Sequence, residues 1–217
     1  VVFLFDASDS MRFREQFQRE ALTTFLRTLL RANDRGAVCW FSNAVRVEQD
    51  FTADPRLLLA AIDRIPSGGA TSLYAAIAEA ADRVARRPGR RAIVVLSDGR
   101  DTFSDLRLED ALARAQRADA TVYGINTSFP EWAVTPEFKR DDPLEHLASE
   151  TGGQVYYSSD PDDVEDVLSR LTGRLRDRYV IGFYPTAART NGRFRRLTVI
   201  VDKKNVVIEA RRGYFSR

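Results

Sequence analysis

The chain has 217 residues, enough for one α/β domain with a small appendage. At 44% apolar and 29% charged it has the composition of an ordinary globular protein whose core needs no disulfide staples, and Cys39, the only cysteine, excludes an intrachain bridge. The net charge is +2, with 30 of the 33 basic residues Arg and only three Lys. The arginines are interleaved with Asp and Glu. The densest cluster, Arg189, Arg193, Arg195 and Arg196 near Lys203, Lys204, Arg211 and Arg212, forms no long single-sign stretch and matches no nucleic-acid motif, so no nucleic-acid partner is expected. No run approaches the ~20 apolar residues of a membrane helix, so no transmembrane segment is expected. No secretory signal is present, but the chain opens on a strand-like run with no start methionine, and we expect the natural protein to extend upstream.

Apolar runs of strand length alternate with helix-period segments, the signature of a parallel sheet covered on both faces. Val1-Val2-Phe3-Leu4-Phe5 is continuously apolar, as a central strand buried on both sides must be. From about Phe13 to Leu30, apolar residues recur at helical spacing (Phe17, Ala21, Leu22, Phe25, Leu26, Leu29, Leu30). After Gly36 a second strand runs Ala37–Phe41, which makes Cys39 a buried structural thiol. Val45 and Val47 suggest a short third strand. Asp54-Pro55 supplies an N-cap and a first-turn proline for a helix to about Ile65, and a Pro-Ser-Gly-Gly loop follows. A helix is predicted from near Ser72 to Ala85, a buried strand over Ala92–Leu96, a helix over Leu108–Ala118 and a strand over Ala120–Ile125. A helix over Leu144–Glu150 ends at Gly152-Gly153, a short strand covers Val155–Tyr157, and Asp160-Pro161 opens a helix to about Arg176.

The remainder changes character. Tyr179–Tyr184, Phe194–Val201 and Val206–Arg211 read as three strands of an antiparallel extension. Since no linker separates them, we expect a single domain over 1–217, with an α/β core at 1–178 and an integral β extension at 179–217. The segment Thr127–Asp142 is long for a connection in such a domain. It covers part of the core or, as an aromatic loop, contacts a partner through Phe129 and Trp132.

Three distant pieces converge. Asp6-Ala7-Ser8-Asp9-Ser10 follows the first strand, Gly68-Gly69-Ala70-Thr71 precedes a helix, and Ser97-Asp98-Gly99 follows the strand Ala92–Leu96. In an open parallel sheet the ligand crevice lies beyond the carboxyl ends of the strands. If the two strands are neighbours, Asp6 and Asp98 face one crevice. Carboxylate and hydroxyl oxygens suit a hard divalent cation. The alternation of Asp6, Ser8 and Ser10 lets a sharp turn aim all three at one centre, which Thr71 and Asp98 complete. Two carboxylates leave the ion under-neutralised, so a sixth position stays open to an external anionic oxygen. The alternative for Ser10 and Thr71 is that their hydroxyls cap helices. Capping does not account for two Asp at the ends of two buried strands.

The Asp-x-Ser-x-Ser, Gly-Gly-x-Thr and Ser-Asp-Gly pattern resembles the metal-ion-dependent adhesion site (MIDAS) of von Willebrand factor A-type domains. Phe51-Thr52-x-Asp54, Thr71-Ser72-Leu73-Tyr74, Thr151-Gly152-Gly153, Tyr184-Pro185 and Arg212-Gly213-Tyr214 are similar to the bacterial group called the VWFA-related Acidobacterial domain. Two positions depart from the pattern: Asp9 stands where Gly is common and is expected to face solvent, and Ala75 stands where Asp is frequent. The resemblance implies a doubly wound, mostly parallel sheet with helices on both faces and a metal at Asp6, Ser8, Ser10, Thr71 and Asp98. It implies Mg²⁺, with Mn²⁺ or Ca²⁺ also admissible. It further implies a protein partner offering an Asp or Glu carboxylate, and a secreted, periplasmic or cell-surface bacterial protein. No enzyme is expected. A phosphotransferase of haloacid dehalogenase type needs a second acid where Ser8 stands, and a placed Lys where only Lys139, Lys203 and Lys204 exist. No Gly-x-Gly-x-x-Gly follows the first strand and no Gly-x-Ser-x-Gly is present. The lone His146 reads as a surface or packing residue. A metal-dependent phosphotransferase or hydrolase of haloacid dehalogenase type, and a structural module whose metal only stabilises the fold, are the alternatives.

Overall fold

A computed structural model describes residues 1–217 except 30, 32, 128–132, 159, 160, 178, 185–191 and 217. The main sheet has six strands in the order β3-β2-β1-β4-β5-β6. These are β1 Val2–Asp6, β2 Gly36–Phe41, β3 Val45–Thr52, β4 Arg91–Leu96, β5 Ala120–Asn126 and β6 Val155–Tyr157. Only β3 is antiparallel, to β2; the other pairs are parallel. The helices are α1 Glu15–Leu29, α2 Pro55–Ile62, α3 Leu73–Ala85, α4 Leu108–Arg117, α5 Pro136–Asp141, α6 Pro143–Thr151 and α7 Pro161–Arg176. A 3₁₀ turn, Asp9–Arg14, precedes α1.

Both faces of the sheet are covered, which is why β1, β4 and β5 are apolar at nearly every position rather than at alternate ones. Phe3, Phe5, Val94, Leu96 and Tyr123 point to one side, where Leu22, Phe25 and Leu26 of α1, Leu58 and Ile62 of α2 and Leu168 and Leu171 of α7 cover them. Val2, Leu4, Ile93, Val95 and Val122 point to the other, against Leu73, Ile77 and Ala81 of α3, Ala111 and Ala115 of α4 and Leu144 and Leu147 of α6. Burying each large apolar side chain stabilises by about 1.5–3 kcal/mol. Cys39 is buried, and burial pushes its thiol up to about 12, which keeps it protonated and inert. The lone His146 lies exposed on α6, as a surface residue. Among the described residues no helix is long and apolar enough to cross a membrane.

Strands are added outward from β1 in both directions: β1 pairs with β2 on one side and with β4 on the other. The gap above the carboxyl ends of β1 and β4 is therefore a topological switch point. Phe5 stands opposite Leu96 across that pair, so Asp6 meets Ser97 and its neighbour Asp98 at one edge.

Three local outcomes differ from the sequence reading. The strand after Asn43 is longer, Val45–Thr52, because it pairs along β2 with two register shifts. Part of the long 127–142 segment is helical: Thr135 caps α5 by accepting from the Phe138 amide at 3.2 Å, with Pro136 in the first turn. Phe138 then stacks edge-on against Tyr157, ring centroids 6.0 Å apart, so this half of the segment covers the core. The third difference is in the antiparallel extension. It is a two-stranded sheet, β7 Phe194–Arg196 with β8 Gly213–Phe215, whereas 179–184, 197–201 and 206–211 are outside strands. Tyr179, Ile181, Phe183, Val199 and Val201 are exposed. Alternation supplies a strand's potential apolar face, but a strand also needs a facing layer to bury that face, and these exposed side chains have none among the described residues. β8 is held because it packs near α4, where Arg117 lies 4.5 Å over the Phe215 ring.

Candidate metal centre

The first loop leaves β1 at Asp6, which is buried although charged. The Ser8 amide donates to Asp6 Oδ1 at 3.0 Å, turning the chain back over the strand end. Ser8 and Ser10 hydroxyl oxygens then stand 3.1 Å apart. Met11 closes the turn through its amide to the Ser8 carbonyl at 3.0 Å and is itself buried as the anchor. Asp9 is exposed, as expected.

The second loop is laced to the first through backbone. Gly68 N–H donates to the Ala7 carbonyl at 2.7 Å, and Asp9 N–H to the Gly69 carbonyl at 2.9 Å. These two bonds tie the Gly68-Gly69 loop, which leads to buried Thr71 just before α3, to the Asp6–Ser10 turn. Thr71 is further clamped by the third loop. Its amide donates to Thr102 Oγ1 at 3.0 Å, and its carbonyl accepts from Thr102 and Phe103 amides at 2.8 and 3.0 Å.

Helix capping is settled differently from the simplest sequence alternative. Ser72, the N-cap of α3, makes no side-chain cap bond. The free amides of the first turn go instead to the loop after β4: Tyr74 N–H to Asp101 Oδ1 at 2.9 Å and Ala75 N–H to Ser104 Oγ at 3.1 Å, with Ser104 itself donating to Asp101 at 2.6 Å. Asp101, Thr102 and Ser104 therefore support the site. They carry no local sequence signal, since the helix they cap lies about thirty positions upstream.

Ser97 and Asp98 complete the crevice. Ser97 is fully buried; its hydroxyl donates to Asp6 Oδ2 at 2.5 Å and accepts from the Gly99 amide at 3.1 Å. Half-buried Asp98 accepts the Arg100 amide at 3.0 Å, and its carbonyl takes the side-chain amide of Asn126 at 3.0 Å. Asn126 ends β5, so the segment after β5 starts at this crevice. Phe129 and Trp132, expected on that segment as partner contacts, lie outside the described residues.

Burial pushes the Asp6 carboxyl up to about 6, against hydrogen bonds from Ser8 and Ser97 and with the negative charge of Asp98 adding to the rise. Among the described residues no Lys or Arg forms an ion pair with Asp6. No ion pair among the described residues thus offsets its charge, and the Asp98 carboxylate and the Ser8 and Ser97 hydroxyls are its neighbours.

Asp142 is a neighbour that sequence reasoning did not assign to the site. Its Oδ1 caps α6 at the Leu144 amide, 2.8 Å away, and its Oδ2 accepts from the Tyr157 hydroxyl at 3.0 Å. A Cβ on Gly99 would fall 2.9 Å from Asp142 Oδ1. Gly99 also has φ +85°, in the left-handed region. The turn holding Asp98 is thus seated directly on the Asp142 carboxylate.

The donor set fits a hard divalent cation: two carboxylates (Asp6, Asp98) and three hydroxyls (Ser8, Ser10, Thr71), all oxygen. Among the described residues no group of three or more His, Cys, Asp or Glu offers a different metal site.

Residues 1–100 match the family model described as von Willebrand factor type A domain. No curated protein matches the chain. Solved structures match its fold. A von Willebrand factor type A protein from Catenulispora acidiphila is 20% identical with TM-score 0.64, over 79% of this chain and 41% of that one. An aerotolerance-related membrane protein from Bacteroides fragilis is 16% identical with TM-score 0.63, over 80% and 98%. Proximal thread matrix protein 1 from the mussel byssus, with a zinc-occupied MIDAS motif, is 16% identical with TM-score 0.61, over 80% and 44%. The chain thus spans about two fifths of the Catenulispora protein.

Proposed function

We propose, from the premise that this chain is a von Willebrand factor A-type domain, that it is a metal-dependent protein-binding module. Asp6, Ser8, Ser10, Thr71 and Asp98 hold one divalent cation, and a partner's Asp or Glu carboxylate supplies a further ligand. The observation that carries this reading is the buried Asp6 carboxylate, beside Asp98 and without an ion pair to Lys or Arg among the described residues. Burying an unpaired charge is costly unless something compensates it. A cation does so, and it also accounts for the three hydroxyls collected around it.

When bound, the ion supplies Lewis acidity toward an external carboxylate. The chain's own residues do the rest. Ser97 and the Ser8 amide fix the two oxygens of Asp6, and Thr102 fixes the Thr71 backbone. Asp142 supports the turn that carries Asp98. Mg²⁺ is the ion we assign, because small hard cations suit a few oxygen ligands with positions left for water or partner; Mn²⁺ and Ca²⁺ accept the same donors.

The reading is binding rather than catalysis. Ser8 occupies the place where a haloacid dehalogenase-type phosphotransferase needs its second acid, and Lys139 sits 5.5 Å over the Tyr157 ring on α5. We place the protein outside the cytoplasm, as a secreted, periplasmic or cell-surface bacterial protein, a reading supported by the family resemblance and by the likeness to a membrane protein of Bacteroides fragilis.

Calorimetric titration with Mg²⁺ and Mn²⁺ tests the site. One binding event is expected for the native chain and none for Asp6→Ala. Equal binding by both would overturn the assignment.

A further inference from the structure

The crevice has a rim whose chemistry is visible. Outside 179–208, the exposed large apolar side chains among the described residues are Phe13, Leu57 and Phe103. Single exposed apolar residues are ordinary on any surface. Here, however, two of the three stand on the loops that carry the proposed metal ligands. Phe13 is 96% exposed on the 3₁₀ turn that begins at the Ser8 carbonyl, and Met11 already fills the inward position of that turn. Phe103 is 55% exposed, with its amide bonded to the Thr71 carbonyl at 3.0 Å. Phe103 is thus tied through its backbone to Thr71, and Phe13 lies on the turn that follows Ser8 and Ser10.

The charges at the rim point the same way. Arg12 and Arg100 are exposed; Arg12 precedes Phe13, and Arg100 stands two residues after Asp98. Among the described residues neither guanidinium forms an ion pair, whereas Arg56, Arg64, Arg83 and Arg114 do. A shallow cleft runs beside Asp6 and Ser8, walled by Met11, Arg12, Pro66 and Ser67.

We infer that Phe13 and Phe103, with Arg12 and Arg100, form a docking surface for an acidic protein segment in which apolar side chains flank the metal-binding carboxylate. The inference rests on the metal-dependent reading above. Two guanidiniums with no ion pair among the described residues complement further acids on the segment. The two rings supply apolar contact that a carboxylate alone does not use. Aromatic and Arg side chains are the residue types in which interface free energy concentrates. The rim discriminates among acidic partners, which a carboxylate–metal contact by itself does not.

A random-peptide library displayed on phage, selected on the whole chain in Mg²⁺ and eluted with EDTA, tests this. The expected peptides carry Asp or Glu with apolar neighbours. A synthetic copy of one should bind about tenfold or more weakly to Phe13→Ser and to Phe103→Ser, in line with an aromatic anchor. Leu57→Ser is the control: it removes an apolar side chain about as exposed as Phe103 from the first turn of α2, which follows β3 at the opposite, amino edge of the sheet, and should bind as the native chain does. These side chains are exposed, so unchanged melting temperatures are expected. Acidic peptides without apolar neighbours, unchanged binding by both Phe variants, or no Mg²⁺-dependent enrichment would each overturn the inference. Calorimetry with Mg²⁺ on the same preparation separates the two readings. If Mg²⁺ binds and the peptide results fail, only the docking surface falls; if Mg²⁺ does not bind, both fall.

Discussion

Replacing Gly99 by alanine tests whether the Asp98 turn is seated on Asp142. Two costs add. The first is conformational: Gly99 has φ +85°, where a Cβ costs about 1–2 kcal/mol. The second is contact: the new methyl would lie 2.9 Å from Asp142 Oδ1. Asp142 must then shift, weakening its cap on the Leu144 amide, a type of bond worth about 0.5–2 kcal/mol. It also loosens the Tyr157 hydroxyl bond, worth about 0.5–1.5 kcal/mol. The sum is about 2–5.5 kcal/mol, or a fall in melting temperature of roughly 4–22 °C for a domain of this size. Gly89 provides the internal reference, because it has the same φ of +85° and nothing within 4 Å of its would-be Cβ. Gly89→Ala should therefore show only the conformational cost. Urea and thermal denaturation in EDTA measure both variants without metal. Equal destabilisation by Gly99→Ala and Gly89→Ala would refute the seating. So would a Gly99→Ala cost that persists undiminished when Asp142 is also replaced by alanine.

Other outcomes follow from the same contacts. Ser97→Ala removes the donor 2.5 Å from buried Asp6 Oδ2 and should cost about 1–3 kcal/mol of stability, with weaker Mg²⁺ binding in calorimetry; unchanged values for both would show that the bond does not position Asp6. Burial holds the Asp142 carboxyl above its ordinary range, against hydrogen bonds from the Leu144 amide and the Tyr157 hydroxyl. A raised folded-state value means that its stabilising contribution is fully present below the unfolded value and is lost as pH rises through the folded one. Asp142→Asn keeps a capping oxygen without the charge, so in EDTA it should melt at or above the native chain at neutral pH, with the difference closing on acidification; melting curves across pH check this, and a deficit that appears only at neutral pH would contradict it. Finally, we propose that the C-terminal segment is integral to the domain, because Arg212 N–H meets the Glu150 carbonyl at 3.2 Å and Glu209 pairs with Arg174 at 3.2 Å. A chain ending at Arg178 should melt lower than the full chain, and an unchanged melting temperature would make the segment an appendage.

The layered α/β fold was legible because its signals are local. Asp54-Pro55 caps and starts α2 in the structure, with Asp54 Oδ1 accepting the Arg56 amide at 2.9 Å. The fully apolar strand runs told that β1, β4 and β5 are covered on both faces. The positions of Asp6 and Asp98 at strand ends told which edge carries the crevice. The helix inside 127–142 was less legible, because Val134, Pro136 and Phe138 form too short a pattern to show a period. The antiparallel extension was read as three strands from alternation alone, and alternation does not reveal whether a partner layer exists.

By itself, then, the sequence determined the elements of the core, the alternation that makes the sheet parallel, and the oxygen-bearing residues placed at its carboxyl edge. Each of these depends on neighbours a few positions apart. Tertiary structure decided what long-range contact alone can decide. It made β1 and β4 adjacent, so that Ser97 reaches Asp6 across 91 positions. It gave the side-chain capping of α3 to Asp101 and Ser104, with no cap bond from the Ser72 side chain. It also set Asp142 beneath Gly99. Hydrogen bonds and close packing act over a few ångströms in space, whatever the separation along the chain, so contacts of this kind appear only when the chain is folded.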